Sequence, residues 1–281
     1  MAQKALLVGV NDYQGISDLR GCINDVTNMR NILKSYLGFT NKDIRVLVDK
    51  RASKSNILRR LRLMVDEAKA GDFLVFHFSG HGSQIRDRDG DELRDRMDEL
   101  ICPWDMNWDN GFITDDMLYE IFSQLKKTVM LEVFLDCCHS GTGLRDIGLG
   151  RPPELGPENP TVGRFLQPPM DIACRSEGEE EDLKETKRLF RKKNNPPNQV
   201  LWSGCMSHQT SADAYIKGSY NGAFIYYFCN HMRKAGGQLS RRQLLTRIRN
   251  SLRHNQYSQI PQLESAANIK KTRALTAKEK V

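Results

Sequence analysis

The chain of 281 residues carries 42 basic and 35 acidic side chains and has a formal net charge of +7. Its length is enough for one large α/β domain or two small ones, with a core that needs no crosslinks. No apolar stretch approaches the length of a membrane span, and residues 1–4 lead straight into an apolar run without a secretory leader. The seven cysteines are odd in number and follow no disulfide framework, so we expect a reduced, cytoplasmic protein.

Apolar runs and amphipathic stretches alternate through the first half of the chain. The predicted strands are residues 4–10, 44–48, 73–78 and 129–135, and the predicted helices are residues 25–36, 53–69 and 115–126. Ser53 is expected to cap the second helix. This alternation predicts an α/β fold with a mainly parallel central sheet and helices on both faces.

The alternation fails between residues 146 and 198, where prolines, an acidic block and a basic stretch follow one another. Long connections without structure of their own are uncommon and are usually functional or disordered, so we expect a flexible linker. A strand at residues 199–202 and helices at 222–235 and 240–255 follow it.

The last predicted helix carries a row of arginines at spacings that place them on one face: Arg241, Arg242, Arg247, Arg249 and Arg253. Such a face could bind nucleic acid or an acidic protein. A solvated helix surface is the simpler interpretation, and we do not expect a nucleic-acid partner.

Two short strings stand where predicted buried strands end. Residues 79–82 read Ser-Gly-His-Gly, and residues 136–141 read Asp-Cys-Cys-His-Ser-Gly. Parallel strands bring their carboxyl ends to one edge of a sheet, so His81 is expected near the two cysteines. An imidazole beside a thiol holds the thiolate and later protonates the leaving amine. The strings therefore predict a thiol protease.

Three neighbouring side chains compete for the catalytic roles. Alternation along the strand end puts Cys137 and Cys138 on opposite sides, so only one of them can face His81. His139 is an alternative base, although adjacent residues on a turn rarely point at each other.

The two strings resemble the catalytic signatures of the metacaspases, caspase-related cysteine peptidases, in the form without a prodomain. Segments similar to this family lie at residues 19–26, 98–105, 203–205, 209–213, 222–224 and 259–263. The resemblance implies a caspase-like fold. Residues 1–145 would form its large portion, residues 146–198 a flexible linker, and residues 199–281 a small portion that completes the same sheet.

The resemblance also implies the roles of the catalytic groups. The family string Asp-x-Cys-His-Ser-Gly selects Cys138 as the nucleophile, with His81 as its partner. Main-chain amides of Gly82 and Cys138 would stabilise the oxyanion of an acyl transfer.

The family's specificity pocket maps onto four residues of this chain. Asp25 and Asp136 would form its base, with Cys22 and Ser79 as further lining. Paired carboxylates suit a cation and reject aspartate, and a guanidinium can engage them bidentately, so Arg is expected to be preferred to Lys. The alternative role of Asp25 is a helix N-cap.

Metacaspases that need calcium bind it through four aspartates. Asp98, Asp115 and Asp116 match three of those positions, and Asp146 takes the fourth after one extra residue, because Arg145 occupies the aligned place. Calcium is thus the expected cofactor, and no organic cofactor is expected. A solvated loop with internal ion pairs is the alternative, and acids at 115 and 116 also suit the first turn of a helix.

Basic residues in the linker predict that the protein is a zymogen. Cleavage is expected near Lys187 and Arg188 or near Arg191, Lys192 and Lys193, by the enzyme itself or by an upstream protease. The expected partners are peptide substrates with Arg or Lys at the cleaved bond. We expect the protein to be a monomer and not to bind membranes. A catalytically silent scaffold or binding module of the same fold is the alternative function.

Overall fold

The computed structural model describes residues 1–86, 97–138, 159–173, 198–207 and 209–276. The strands are β1 (Gln3–Gly9), β2 (Ile44–Val48), β3 (Phe73–Ser79), β4 (Gly82–Arg86), β5 (Met97–Ile101), β6 (Ile113–Thr114), β7 (Met130–Asp136), β8 (Val162–Gly163), β9 (Gln199–Ser203), β10 (Ala212–Ile216), β11 (Ser219–Gly222) and β12 (Gln262–Glu264). The α-helices are α1 (Cys22–Leu37), α2 (Lys54–Asp66), α3 (Asp115–Phe122), α4 (Met170–Ala173), α5 (Ala223–Lys234), α6 (Arg241–His254) and α7 (Ala267–Lys270). None of the helices in these ranges is long and apolar enough to cross a membrane.

A six-stranded sheet in the order β12-β9-β7-β3-β1-β2 forms the centre of the molecule. Its strands are parallel except β12, which pairs antiparallel with β9 at the edge. The other strands form two three-stranded sheets, β11-β10-β8 and β4-β5-β6, and β4 begins shortly after the carboxyl end of β3. The predicted α/β fold with a mainly parallel sheet is confirmed.

Alternation along the central strands divides the core into two layers. Leu6 and Phe76 belong to one apolar cluster with α2 and α3, whereas Leu7 and Val75 belong to another with α1, α5 and α6. Successive side chains of a strand point to opposite faces, and continuous apolar runs such as these are typical of strands buried on both faces. The sheet is therefore packed against apolar clusters on both faces.

The N-cap of α2 is the predicted one, whereas α1 begins at a different residue from the predicted one. The Ser53 side chain caps α2 as predicted, accepting a hydrogen bond from the Asn56 amide. Helix α1 begins three residues earlier than predicted, because Gly21 is its N-cap. Asp25 consequently lies inside the first turn of α1, so the alternative role of Asp25 as a helix N-cap is wrong.

Arg241 corrects the interpretation of the arginine row on α6. Its side chain is fully buried, and its Nη2 donates a hydrogen bond of 2.6 Å to Oε2 of Glu132 in the middle of β7. Trp202 donates to the same carboxylate through its indole nitrogen at 2.8 Å. Because a buried charge is costly unless it is paired and hydrogen-bonded, Arg241 belongs to the core and not to a solvated surface.

The described part of the predicted linker, residues 159–173, has structure of its own. Strand β8 pairs antiparallel with the edge of β10, and α4 follows it. This differs from the expectation of a connection without structure, because the extended residues satisfy their backbone groups on a free strand edge. The proposed processing residues Arg188, Arg191, Lys192 and Lys193 lie outside the described residues.

Candidate active site

The carboxyl ends of β3 and β7 lie side by side, with Ser79 opposite Asp136. His81 follows β3 and Cys138 follows β7, so both strings identified in the sequence converge on one edge of the sheet. Both side chains are almost completely buried, with 1% of His81 and 0% of Cys138 exposed.

The ring of His81 is held by the loop after β1. Its Nε2 lies 2.9 Å from the Ser17 carbonyl oxygen, which can only accept, so Nε2 carries the proton. Nδ1 is buried and makes no hydrogen bond among the described residues, which leaves its lone pair free to accept a proton. Burial lowers the pKa of His81 to about 4, an effect that the Ser17 and Arg164 carbonyls partly oppose.

The two adjacent cysteines have different surroundings. Sγ of Cys138 accepts a hydrogen bond of 2.5 Å from the main-chain N–H of Ser211, at the start of the segment leading into β10. Cys137 instead packs in the apolar core with α2 and α3, where burial raises the pKa of its thiol. Cys138 is therefore the thiol at the site, and Cys137 is a core residue. His139, the alternative base, lies outside the described residues.

Two main-chain amides point at a single oxygen. The N–H groups of Gly82 and Cys138 both donate to the carbonyl oxygen of Arg164, at 2.9 and 3.3 Å. A Cβ atom on residue 82 would lie 2.2 Å from the carbonyl oxygen of Cys138, so only glycine allows the two loops to approach this closely. This pair of donors has the geometry of an oxyanion hole.

The predicted pocket residues surround the side chain of Arg164, which is fully buried. Its Nη2 lies 2.8 Å from Oδ2 of Asp25, and its Nη1 lies 3.1 Å from Oδ2 of Asp136. Nη1 also donates to Ser79 Oγ at 2.7 Å, and that hydroxyl in turn donates to Asp25 at 2.7 Å. The pocket at the end of β3 and β7 is thus filled by an arginine from the chain itself.

Electrostatics explain why a cation occupies this pocket. Burial raises the pKa of Asp25 to about 7, against the lowering effect of the Arg164 guanidinium, and the neighbouring Asp136 raises it further. Burial likewise raises the pKa of Asp136. Burial also raises the pKa of Cys22, so Cys22 lies beside the pocket as a neutral thiol. Carboxylates that are costly to bury favour a guanidinium that neutralises them.

Sequence reasoning assigned no role to several residues of the site. Asp213 adds a third carboxylate, with Oδ1 2.9 Å from Nη2 of Arg164, and it accepts hydrogen bonds from the amides of Arg20 and Gly21. A Cβ atom on Gly222 would lie 2.1 Å from Oδ2 of Asp136, so this glycine keeps the pocket open. Asp213 is the last residue of one of the segments that resemble the metacaspases. The acidic side chain at that position is the sequence signal that could have indicated its place in the pocket.

Three of the four predicted calcium ligands lie together. The carboxylates of Asp98, Asp115 and Asp116 each place one oxygen within 4.8 Å of the others, with Asp98 buried on β5 and the other two opening α3. Oxygen-only ligands in this arrangement suit a hard cation such as calcium. Asp146, the fourth predicted ligand, lies outside the described residues.

Comparison with known proteins extends these observations. Residues 3–146 match the family model for the metacaspase peptidase C14 domain. Metacaspase-1 of Emericella nidulans is 34% identical over 94% of this chain and 70% of its own length. Metacaspase-1 of Sclerotinia sclerotiorum is 37% identical over 93% of this chain and 65% of its own length.

Two solved structures share the fold. A Geobacter sulfurreducens protein superposes with a TM-score of 0.71 at 23% identity, covering 99% of this chain and all of its own. Caspase-1 of Spodoptera frugiperda superposes with a TM-score of 0.54 at 12% identity, covering 94% of this chain and 86% of its own. The caspase-like fold expected from the sequence is confirmed.

Proposed function

Because this chain belongs to the metacaspase family of cysteine peptidases, we propose that it is an endopeptidase that cleaves peptide bonds after arginine and, less efficiently, lysine. Cys138 is the nucleophile and His81 its base. One observation carries the proposal: the Arg164 side chain fills an acidic pocket while its carbonyl oxygen receives the amides of Gly82 and Cys138. An arginine substrate would have to occupy the same two positions.

The chemistry follows from these positions. The thiol of Cys138 gives its proton to Nδ1 of His81, and Sγ attacks the carbonyl carbon. The oxygen becomes negative and is stabilised by the N–H groups of Gly82 and Cys138, which already point at it. The imidazolium then protonates the leaving amine, and water hydrolyses the thioester. The Ser17 carbonyl is the positioning group that holds the ring in the required tautomer.

The pocket supports the proposed preference for arginine at the cleaved bond. Asp25, Asp136 and Asp213 approach a guanidinium from several directions, which its planar fork of donors can satisfy at once. A lysine ammonium is a point charge and can satisfy fewer of them. An aspartate would add a negative charge to a buried acidic pocket, at a cost of several kcal/mol.

Matched fluorogenic peptides that differ only in the residue before the reporter test the proposal. We expect kcat/KM for the arginine peptide to exceed that for the aspartate peptide by at least about 10³-fold, with lysine in between. Preferred cleavage after aspartate would refute the proposed selectivity. No hydrolysis of any peptide would favour the alternative of a catalytically silent scaffold.

We also propose that Asp98, Asp115 and Asp116 hold a calcium ion that activates the enzyme. Asp98 lies on β5, which pairs antiparallel with β4, and β4 begins at Gly82 of the oxyanion site. A bound cation would neutralise three clustered carboxylates and fix this strand pair. It would therefore position the Gly82 amide without touching the reacting atoms.

Calcium titration into a chelator-stripped sample tests this part of the proposal. We expect hydrolysis of the arginine peptide to rise at least about tenfold with calcium, and Asp115→Asn to weaken the calcium dependence. Asp109→Asn is the matched control, because Asp109 is exposed on a neighbouring loop. Full activity in the chelator, unchanged by calcium, would contradict the proposal.

A further inference from the structure

The loop after β1 contacts His81 through its main chain and through its ring. The Tyr13 hydroxyl accepts a hydrogen bond of 2.7 Å from the main-chain N–H of His81. The Tyr13 ring lies against the imidazole, with the ring centroids 5.1 Å apart and the planes inclined at 45°. The Ser17 carbonyl of the same loop contacts Nε2 of the imidazole. One short segment therefore holds both the backbone and the ring of the proposed base.

Tyr13, His81 and Cys102 are joined by a closed set of hydrogen bonds. The Tyr13 hydroxyl donates to the Cys102 carbonyl oxygen at 3.3 Å, and the Cys102 N–H donates to the His81 carbonyl oxygen at 3.0 Å. The phenol thus uses both its donor and its acceptor, and both main-chain polar groups of His81 are fixed. Because all three residues are buried, removal of the hydroxyl would leave an N–H and a carbonyl without this partner.

Gly80 allows the Tyr13 hydroxyl to approach the His81 main chain this closely. A Cβ atom on residue 80 would lie 2.6 Å from the Tyr13 hydroxyl oxygen and 2.8 Å from the Phe78 ring. A residue with a side chain would therefore displace one of these groups. The space that the Tyr13 hydroxyl occupies is a physical reason for the first glycine of the Ser-Gly-His-Gly string.

The loop that carries Tyr13 is itself anchored. Asp18 Oδ1 accepts a hydrogen bond of 2.9 Å from the Tyr13 N–H, and the Gln14 N–H donates to the Trp104 carbonyl oxygen at 3.1 Å. Only 6% of Tyr13 is exposed, and burial raises its pKa well above its usual range. The phenol consequently keeps its proton, and with it the hydrogen bond to Cys102, across the neutral pH range.

We infer that Tyr13 is a positioning residue for the catalytic base, and that its hydroxyl and ring hold His81 in the orientation that proton transfer requires. The inference rests on the proposed function, because it concerns the base of that reaction. Tyr13 takes no part in the proton transfers. It aligns the imidazole, which first takes a proton from Cys138 and later gives it to the leaving amine. A displacement of about 1 Å in such a group can slow a reaction by about 10²-fold.

Tyr13→Phe tests the inference, because it removes the hydroxyl and keeps the ring. With calcium present, we expect kcat for an arginine amide peptide to fall by about 10- to 100-fold, with a change in KM of less than about twofold. Tyr36→Phe, which removes a hydroxyl near the end of α1, is the matched control and should keep the wild-type rate.

A second substrate distinguishes positioning of the base from a general loss of structure. An arginine nitrophenyl ester has a leaving group that departs without being protonated, so it does not need the later proton donation by His81. After subtraction of the Cys138→Ala background, Tyr13→Phe should lose much more activity on the amide than on the ester. Unfolded molecules lower both rates equally and leave their ratio unchanged. Gly80→Ala, whose Cβ would displace the Tyr13 hydroxyl, should change the ratio in the same direction.

Two results would overturn the inference while leaving the proposed function intact. One is a wild-type rate of amide hydrolysis in Tyr13→Phe, and the other is an equal fractional loss on amide and ester in both Tyr13→Phe and Gly80→Ala. If Tyr13→Phe does not fold, the ratio measured for Gly80→Ala decides between the two outcomes. Failure of the wild type to hydrolyse the amide would remove the proposed function and the inference with it.

Discussion

Replacing Cys138 with alanine is expected to abolish peptide cleavage, lowering kcat/KM for an arginine peptide by at least about 10⁴-fold. The nucleophile is lost, while the pocket and the amide donors stay in place. The adjacent Cys137 provides a matched control, since it is buried in the apolar core. Cys137→Ala should keep most of its activity, with a modest loss of stability from the missing sulfur atom.

Hydrolysis rates of the three proteins, each checked for a native circular dichroism spectrum, measure this difference. Equal loss of activity in both variants would contradict the assignment of the nucleophile. Activity that survives in Cys138→Ala and disappears in Cys137→Ala would reverse it.

Replacing Asp136 with asparagine is expected to cost about 3 kcal/mol of binding to an arginine side chain, or roughly 10²-fold in kcat/KM. The change keeps the shape of the side chain and removes one of the charges that faces Nη1. Asp109→Asn, on an exposed loop, is the matched control and should leave the rate unchanged.

A neutral substrate distinguishes a loss of charge selection in Asp136→Asn from a folding defect. Citrulline has the shape of arginine without its charge, so wild type should prefer the arginine peptide strongly and Asp136→Asn should prefer it much less. A misfolded variant would lose both activities in proportion. An unchanged ratio of the two rates would show that Asp136 does not select the charge.

Much of the fold could be predicted because the determining signals are local. The strands at 73–78 and 129–135 are apolar runs that end at small or polar residues, and the observed strands Phe73–Ser79 and Met130–Asp136 differ by a residue at each boundary or less. Ser53 and the periodicity behind it likewise identified α2. The predicted start of helix α1, at residue 25, is later than the observed start at Cys22. Its N-cap residue, Gly21, has no side chain that could signal the start of a helix.

The remaining features depend on contacts that no local pattern encodes. Arg241 reads as one of several arginines on a helix face, and its burial follows from Glu132, a charged residue inside a strand more than 100 positions earlier. Arg164 lies inside the region that reads as a linker, and its role appears only when the ends of β3, β7 and β10 come together around it. Asp213 joins the same pocket from β10, in the part of the chain that follows the predicted linker.

The most direct test of arginine selection is an unbiased one. A library of peptides derived from denatured proteins is digested with the enzyme in calcium, and mass spectrometry identifies the residue before each new cut. Arginine should dominate, with lysine second and aspartate absent, and Cys138→Ala should produce no new ends. A library cut mainly after acidic or apolar residues would show that the pocket holding Arg164 does not determine what this enzyme cleaves.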